Sequence, residues 1–439
     1  MTGPSPDAEA FVVDDVIEGG PLIDDNPAFA ARGLLVGIAL LMAGNGLQGS
    51  LLGVRTESEG FSLAATGVVM ASYFAGFLVG SRSAELLLVR VGHIRVFAAL
   101  ASTASAAVLV HSVFISPFSW GLMRFVTGMC MAGTYVVAES WLNDMATNAT
   151  RGRLLSAYMI ATMGGLSVGQ FLLEVADPQG FELFVLASIL VSASLLPVTL
   201  SASSSPPAGI PEPLAFRELA RRVPTGVICS FWVGTSAGVL MGLSAVYAVT
   251  AGVSDARLST FLAAPLIGSV VLQYPIGWFS DRMSRRTVMW WVALAASLLS
   301  ALLAMIPAGG WPAIGLMFLL GGTIFPLYSL TIAYTADWLP QAQLAAASAA
   351  QVRVNGIGAV FGPLIAAPLM AVFTPAMFYW TMVVTHGVIV AYISWRVAFR
   401  DALPPERQGA FVAFPARGSA VAATLIGRRR RSRYAESDG

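Results

Sequence analysis

The sequence predicts an all-α integral membrane protein with twelve transmembrane helices in two pseudo-symmetric halves of six. The chain of 439 residues is 56% hydrophobic and only 11% charged, whereas a soluble chain carries about 25% charged residues. Its 43 glycines suit a helix bundle in lipid, because small residues let transmembrane helices approach closely. The long apolar runs also divide into two equal sets around a Ser/Pro-rich central segment.

A membrane span needs about 20 mostly apolar residues. Counting such runs between charged or Pro/Gly breaks predicts twelve spans at 32–53, 61–80, 95–114, 118–141, 154–175, 182–200, 225–250, 258–279, 287–307, 311–335, 344–370 and 375–397. The N-terminal half is therefore 32–200 and the C-terminal half 225–398. Outside them we expect a disordered cytoplasmic N-tail (1–31), a cytoplasmic linker (201–224) and a basic cytoplasmic C-tail (399–439).

The arginines predict the orientation of the chain. All 25 basic residues are arginine. With the N-terminus inside, only Arg55 and Arg257 lie in outward loops, Arg124 and Arg353 lie within spans, and all other arginines fall on the cytoplasmic side. Because cytoplasmic loops carry the excess of positive charge, both termini are expected to be cytoplasmic.

The two halves repeat short features in the same order. Five pairs recur at an offset of about 190–200 residues: Gly60-Phe61-Ser62 with Gly252-Val253-Ser254, Gly76 with Gly277, Trp141-Leu142 with Trp338-Leu339, and Gly165 and Gly169 with Gly358 and Gly362. This order indicates a duplicated six-helix unit. Repeats of this kind place a substrate site at their interface near the middle of the membrane.

One predicted cytoplasmic loop, GWFSDRMSRR (277–286), carries Gly277, Asp281, Arg282, Arg285 and Arg286. These residues at this spacing resemble a loop motif of the major facilitator superfamily. The first-half counterpart has Gly80 in place of the aspartate. RFVTG (124–128) resembles the fourth-span arginine motif of proton-coupled members, and GAVFGP (358–363) partly matches the antiporter motif but lies in the eleventh span.

Two further segments, 139–159 and 44–55, resemble the bacterial YcaD-like branch of that superfamily. The resemblance implies a monomeric secondary transporter in the bacterial inner membrane. Such a protein would move a small organic solute by alternating access, with protons as the default coupling ion. The identity of the solute does not follow from the resemblance.

Arg124 and Glu139 are two charges in the fourth span. At about 1.5 Å per residue they lie roughly 22 Å apart, so they cannot pair with each other. Glu139 is expected near the inner border as a gating latch to cytoplasmic arginines (Arg82, Arg95 and Arg151), with proton carriage or helix anchoring as alternatives. Arg124 is expected to bind substrate or support coupling, with a structural bond to helix carbonyls as the alternative.

Arg353 is predicted to be a second buried cation, about 14 Å into the eleventh span. Its neighbours Gln351 and Asn355 allow a polar contact between helices as the alternative. Two buried arginines without an equally deep acid favour an anionic or carboxylate-bearing substrate.

Uncharged polar residues in the spans complete the candidate substrate site. Asn45 and Gln48 lie one turn apart in the first span, Gln170 lies in the fifth and Gln273 in the eighth. Each could contact substrate or bond across helices, which is common in membranes. Tyr73 is expected to serve packing.

Several function classes are excluded by missing motifs. The chain has no lysine, so it has no GxxxxGK[ST] nucleotide loop. It also lacks a metal-ligand spacing and a GxSxG elbow, so no enzyme, cofactor, metal or nucleic-acid partner is predicted. The expected partners are a small-molecule substrate, protons and membrane lipids. A uniporter, an anion exchanger, or a receptor or assembly factor on the same fold stays open as an alternative.

Overall fold

The protein is described by a computed structural model. It covers residues 27–146, 150–200, 215–340 and 343–399, with Pro404, Gln408, Gly409 and Phe411. In this part of the chain all regular structure is helical, and twelve segments are long and apolar enough to cross a membrane. The predicted fold class is confirmed.

The first six spans are formed by seven helices: α1 (Pro27–Ser58), α2 (Leu63–Val91), α3 (His93–Val113), α4 (Pro117–Met145), α5 (Arg151–Phe171), α6 (Glu182–Ala193) and α7 (Leu195–Leu200). α6 and α7 together make the sixth span. They are separated at Ser194, where Pro197 cannot donate a backbone hydrogen bond to the preceding turn.

The second half begins with a short surface helix. This helix, α8 (Phe216–Arg222), buries Leu219 and carries an ion pair between Glu218 and Arg222. Six spans follow: α9 (Pro224–Thr250), α10 (Asp255–Arg282), α11 (Arg285–Met305), α12 (Trp311–Asp337), α13 (Leu344–Val372) and α14 (Met377–Phe399). We call the side where α1 begins and α14 ends the terminal face, and the opposite side the distal face.

The loop expected between the second and third spans is nearly absent. α2 continues to Val91, so Arg82 lies on α2 and Arg95 lies on α3. A single residue, Gly92, connects the two helices with a φ of 88°. Only glycine adopts this backbone region without a steric penalty.

Glycines set matching helix contacts in both halves. Gly165 and Gly169 of α5 face the backbone of α1, and Gly358 and Gly362 of α13 face the backbone of α9. A β-carbon at any of these positions would overlap a backbone atom of the facing helix. The two glycine pairs that match in the sequence therefore make equivalent helix contacts, one in each half.

The predicted match between Gly76 and Gly277 in the two halves pairs the wrong glycines. Gly76 of α2 packs against the carbonyl of Phe125 on α4, and its structural equivalent is Gly268 of α10, which packs against the carbonyl of Phe318 on α12. Gly277, paired with Gly76 from the sequence, lies further along α10. Sequence spacing alone does not identify which glycine meets a neighbouring helix.

The hydrophobic interior has three parts. One core contains residues of both halves, among them Leu47, Met70, Leu243 and Ala367, and lies toward the distal face. Toward the terminal face the halves keep separate cores, one mainly of the first half and one of the second. The halves thus share a core on the distal side, whereas on the terminal side only a few residues of the second half, such as Leu266 and Ala359, enter the core of the first half.

Small residues close the distal contact between the halves. A β-carbon at Gly53 would lie 2.7 Å from the Ala245 side chain, and one at Gly67 would lie 2.6 Å from the Ala367 side chain. We call these four residues the distal seal. Helices this close cannot part on that face without exposing the shared core.

Most of the predicted tails and linker lie outside the described residues. These are 1–26, 201–214 and most positions beyond Phe399. The parts of the two predicted tails that the structure describes differ from the prediction. α1 already begins at Pro27, and Gln408, Gly409 and Phe411 of the predicted disordered C-tail contact the helices of the second half.

Candidate functional site

A cluster of polar side chains lies inside the first half, where α1, α2 and α4 meet. The Asn45 amide nitrogen lies 3.4 Å from the Tyr73 hydroxyl, and the Gln48 amide nitrogen lies 3.5 Å from the Thr127 hydroxyl. The Arg124 guanidinium carbon lies 4.4 Å from the centroid of the Tyr73 ring. The ring face is attractive to a cation, so Tyr73 joins Asn45 to Arg124.

We call Asn45, Gln48, Tyr73, Arg124 and Thr127 the amide cluster. All five side chains are buried. The structure brings three predicted site residues together here and adds two that the sequence did not indicate as polar site residues. Tyr73 was expected only to pack, and a tyrosine within an apolar helix carries no sequence signal for more.

Two acceptors of the amide cluster are buried without a hydrogen-bond partner among the described residues. They are the side-chain oxygens of Asn45 and Gln48, on side chains that are 5% and 0% exposed. A buried polar atom left unsatisfied costs about 1–3 kcal/mol. Such atoms in a native fold call for an explanation, and a bound polar molecule is one.

A small cavity of about 40 Å³ lies beside the cluster, between α2 of the first half and α9, α12 and α13 of the second. Its lining is mostly apolar and aromatic: Phe74, Phe77, Ala237, Met241, Phe325, Tyr328, Val352, Asn355, Gly356 and Ala359. The Tyr73 ring lies 5.5 Å from that of Phe74. The amide cluster, inside the first half, therefore lies next to a cavity at the interface of the halves.

Glu139 is fully buried on α4. The Tyr158 hydroxyl of α5 donates a hydrogen bond to its carboxylate at 3.0 Å. Tyr328, on α12 of the other half, is within electrostatic range of this carboxylate. Arg82 and Arg95 are exposed, and the Arg151 side chain lies outside the described residues. The latch to these arginines stays a prediction, and Tyr158 is the contact that sequence reasoning missed.

Arg353 is exposed, so the prediction of a second buried cation is wrong. It shares a face of α13 with the exposed residues Ile357 and Phe361. Asn355, which lines the cavity, follows two residues later and is therefore turned by about 200°. The two residues cannot both face the centre. Asn355 also donates to the Ser230 carbonyl at 3.2 Å.

Gln170 and Gln273 make contacts within single halves. Gln170 accepts a hydrogen bond from the Ser50 hydroxyl of α1, which ties α5 to α1, and it donates to the Leu166 carbonyl of its own helix at 3.1 Å. Gln273 donates to the Ser329 hydroxyl at 2.9 Å, which ties α10 to α12. In the structure both amides serve contacts between helices.

The loop-motif residues gather at the terminal face of the second half. Arg285 is buried, pairs with the Asp337 carboxylate, and donates to the Ala333 carbonyl and the Ser280 hydroxyl, both at 3.1 Å. The exposed Arg282 lies 3.8 Å from the centroid of the Trp278 ring, and Arg286 is buried. The motif thus fastens the ends of α10, α11 and α12.

Comparison with known families agrees with this architecture. Residues 226–434 match the family described as Major Facilitator Superfamily, and residues 45–206 match Sugar (and other) transporter. The MFS-type transporter YcaD of Escherichia fergusonii is 30% identical over 347 residues, covering 77% of this chain and 88% of that protein. The chain belongs to the major facilitator superfamily and is a membrane transporter, not an enzyme.

Within the superfamily it belongs to the YcaD-like branch. YcaD of Escherichia coli is 29% identical over 356 residues, which cover 79% of this chain and 90% of that protein. Solved structures share the fold at low identity. The nucleoside transporter NupG, in a mutant form, has a TM-score of 0.70 at 14% identity, with 84% of this chain and 100% of that chain covered.

A second solved structure is the bacterial homologue of the human lysosomal transporter Spinster, in an inward-facing and unoccupied conformation. It has a TM-score of 0.62 at 15% identity, with 92% of this chain and 97% of that chain covered. At these identities both solved structures support the fold alone.

Proposed function

We propose that this protein is a proton-coupled secondary transporter that moves a small organic solute across the bacterial inner membrane by alternating access. The two buried amide oxygens of Asn45 and Gln48 carry the proposal. A solute with hydrogen-bond donors would satisfy both oxygens, and an anionic group on it would meet the Arg124 guanidinium. Hydroxy acids and amino acids combine these features.

The amide cluster favours transport over the rival function. A receptor or assembly factor on this fold has no use for unsatisfied acceptors in its core, since each destabilises the fold by about 1–3 kcal/mol. In a transporter such acceptors can bind the substrate, which satisfies their hydrogen bonds while it is bound and exposes them again when it leaves. The anion preference now rests on Arg124, because the Arg353 side chain is exposed and does not line the cavity.

Coupling to protons is assigned to Glu139. A buried carboxylate inside a membrane span is costly and is by default a functional group. Neutralisation by a proton removes the cost of burying its charge. With the terminal face cytoplasmic, as the arginine distribution favours, Glu139 lies on the cytoplasmic side of the amide cluster.

Uptake into proteoliposomes tests the substrate site. Labelled hydroxy acids, amino acids and neutral polyols are compared, with and without a pH gradient. Asn45→Ala and Gln48→Ala are expected to lower uptake of the transported solute at least about tenfold, since each removes a contact to a bound polar group. Asn143→Ala, the same change at the half-buried end of α4, serves as the control.

Three results would contradict parts of this proposal. Equal uptake by both cluster variants and the control would exclude the amide cluster as the site. Uptake at the same rate with and without the pH gradient would indicate a uniporter or an exchanger. Absence of transport for every solute, together with no thermal stabilisation by any, would favour the receptor.

A further inference from the structure

The C-terminal segment lies on the second half at the terminal face, against the loop motif. The Phe411 backbone N–H donates to the Asp281 carboxylate at 2.6 Å, and the Gly409 N–H donates to the Asp337 carboxylate at 2.9 Å. In the other direction, the Arg285 guanidinium donates to the Gly409 carbonyl at 2.7 Å. We call Gln408, Gly409 and Phe411 the strap.

An aromatic contact holds the strap in place. The Phe411 ring lies over Gly277, where a β-carbon would come within 2.5 Å of it. Phe411 also packs against the terminal-side core of the second half. Gly76 and Gly268 are needed where helices touch, whereas Gly277 is needed where the chain's own C-terminal segment touches α10.

The strap also lies on the face of α10 that is turned toward the other half. Leu266 and Val270 of α10 pack into the core of the first half, and α10 contacts α5 there. Gly277 and Asp281 follow Val270 at intervals of seven and four residues, which keeps them on the same helix face. That face meets the first half midway along α10 and meets the strap at the terminal face.

We infer that the strap is a wedge that holds the terminal face open. Closing this face requires the end of α10 to approach the first half, and the strap covers the surface of α10 that would make the contact. It also engages Asp281, Asp337 and Arg285, so these charges are not available to the first half while it is bound. A chain of the length between Phe399 and Gln408 reaches up to about 30 Å. The strap can therefore leave α10 without unfolding α14.

Distance measurements between spin labels test the wedge. One pair, at Arg153 and Thr287, reports on the terminal face, and a second pair, at Ser58 and Ala256, reports on the distal face; all four positions are exposed. Phe411→Ala, and a chain ending at residue 403, are expected to raise the population with a short terminal distance about tenfold. Phe399→Ala, at an exposed position of α14, is the control.

A double-mutant comparison separates the wedge from a folding defect. Gly277→Ala is expected to displace the Phe411 ring and to shift the distances as Phe411→Ala does. Combined, the two changes are expected to add nothing further, because both remove one contact. Unchanged distances in monodisperse Phe411→Ala and in the shortened chain would overturn the inference, and so would fully additive effects.

Discussion

Arg124 and Glu139 stand on one face of α4 but belong to different surroundings. Arg124 lies over the Tyr73 ring in the amide cluster, and Glu139 accepts a hydrogen bond from Tyr158 nearer the terminal face. Each charge is stabilised by a tyrosine of a neighbouring helix. In the proposed function, this separation would let Arg124 contact a substrate while Glu139 takes up or releases a proton.

Glu139→Gln is expected to abolish the stimulation of uptake by a pH gradient, because a glutamine cannot bind and release the proton. Exchange of labelled for unlabelled substrate across the membrane, which needs no net proton movement, is expected to persist. Tyr158→Phe keeps the carboxylate and removes its hydrogen-bond donor, so coupling is expected to survive with an altered pH dependence. Gradient-driven uptake by Glu139→Gln at the unchanged rate would rule out Glu139 as the proton site.

At the scale of single residues, the sequence indicates which polar side chains lie within spans, but not which side of its helix each one occupies. Asn45, Gln48 and Arg124 could be predicted as candidates because polar groups in apolar spans are costly, and their role in binding a substrate stays a prediction. The prediction for Arg353 was wrong because the sequence indicates how far along the span a residue lies, whereas the side of α13 that is buried depends on the neighbouring helices. The 200° between Arg353 and Asn355 already implied that only one of them lines the cavity.

At the scale of the helices, packing depends on glycines in contact with backbone. Gly169 illustrates it, since a β-carbon there would overlap the Ala43 carbonyl of α1, whereas a β-carbon at Gly164 meets nothing within 4 Å. The repeated spacing predicted the contact between α1 and α5. It could not predict that Gly277 receives an aromatic ring, because that ring comes from a distant part of the chain.

Gly169→Leu is therefore expected to lower the free energy of unfolding by about 1–3 kcal/mol or more, as overpacking does. Gly164→Leu, the same change five residues earlier on the same helix, is expected to leave stability unchanged or raise it slightly, because leucine favours helix more than glycine does. Thermal unfolding in detergent compares the two. Equal loss of stability in both variants would mean that the α1–α5 contact does not depend on Gly169.

At the scale of the whole molecule, the halves share a core toward the distal face and have largely separate cores toward the terminal face. Hydropathy predicted the twelve spans, because lipid imposes both length and composition on a span. The Ser/Pro-rich central segment and the repeated features predicted the division into halves. No comparable pattern in the sequence predicts which face of the transporter is closed. The closed face follows from contacts between residues far apart in the chain, such as Gly67 with Ala367.

A disulfide across the distal seal should trap this state. Gly67→Cys with Ala367→Cys places two β-carbons 2.6 Å apart, so the two helices must separate by about 1 Å to reach the Cβ–Cβ distance of a disulfide. Oxidation is expected to stop transport, and a reductant is expected to restore it, because the distal face must open in each cycle. The single-cysteine variants serve as controls, and Cys130 and Cys229 are both free and buried. Transport that continues after complete cross-linking would show that the distal face does not open.

The shared distal core also has a thermodynamic consequence. When the distal face opens to water, apolar side chains such as Met70 and Leu243 become hydrated, and hydration of apolar surface raises the heat capacity. The enthalpy of the switch therefore changes with temperature. We expect an Arrhenius plot of the transport rate to curve whenever this opening limits the cycle, and the curvature measures how much of the core is exposed.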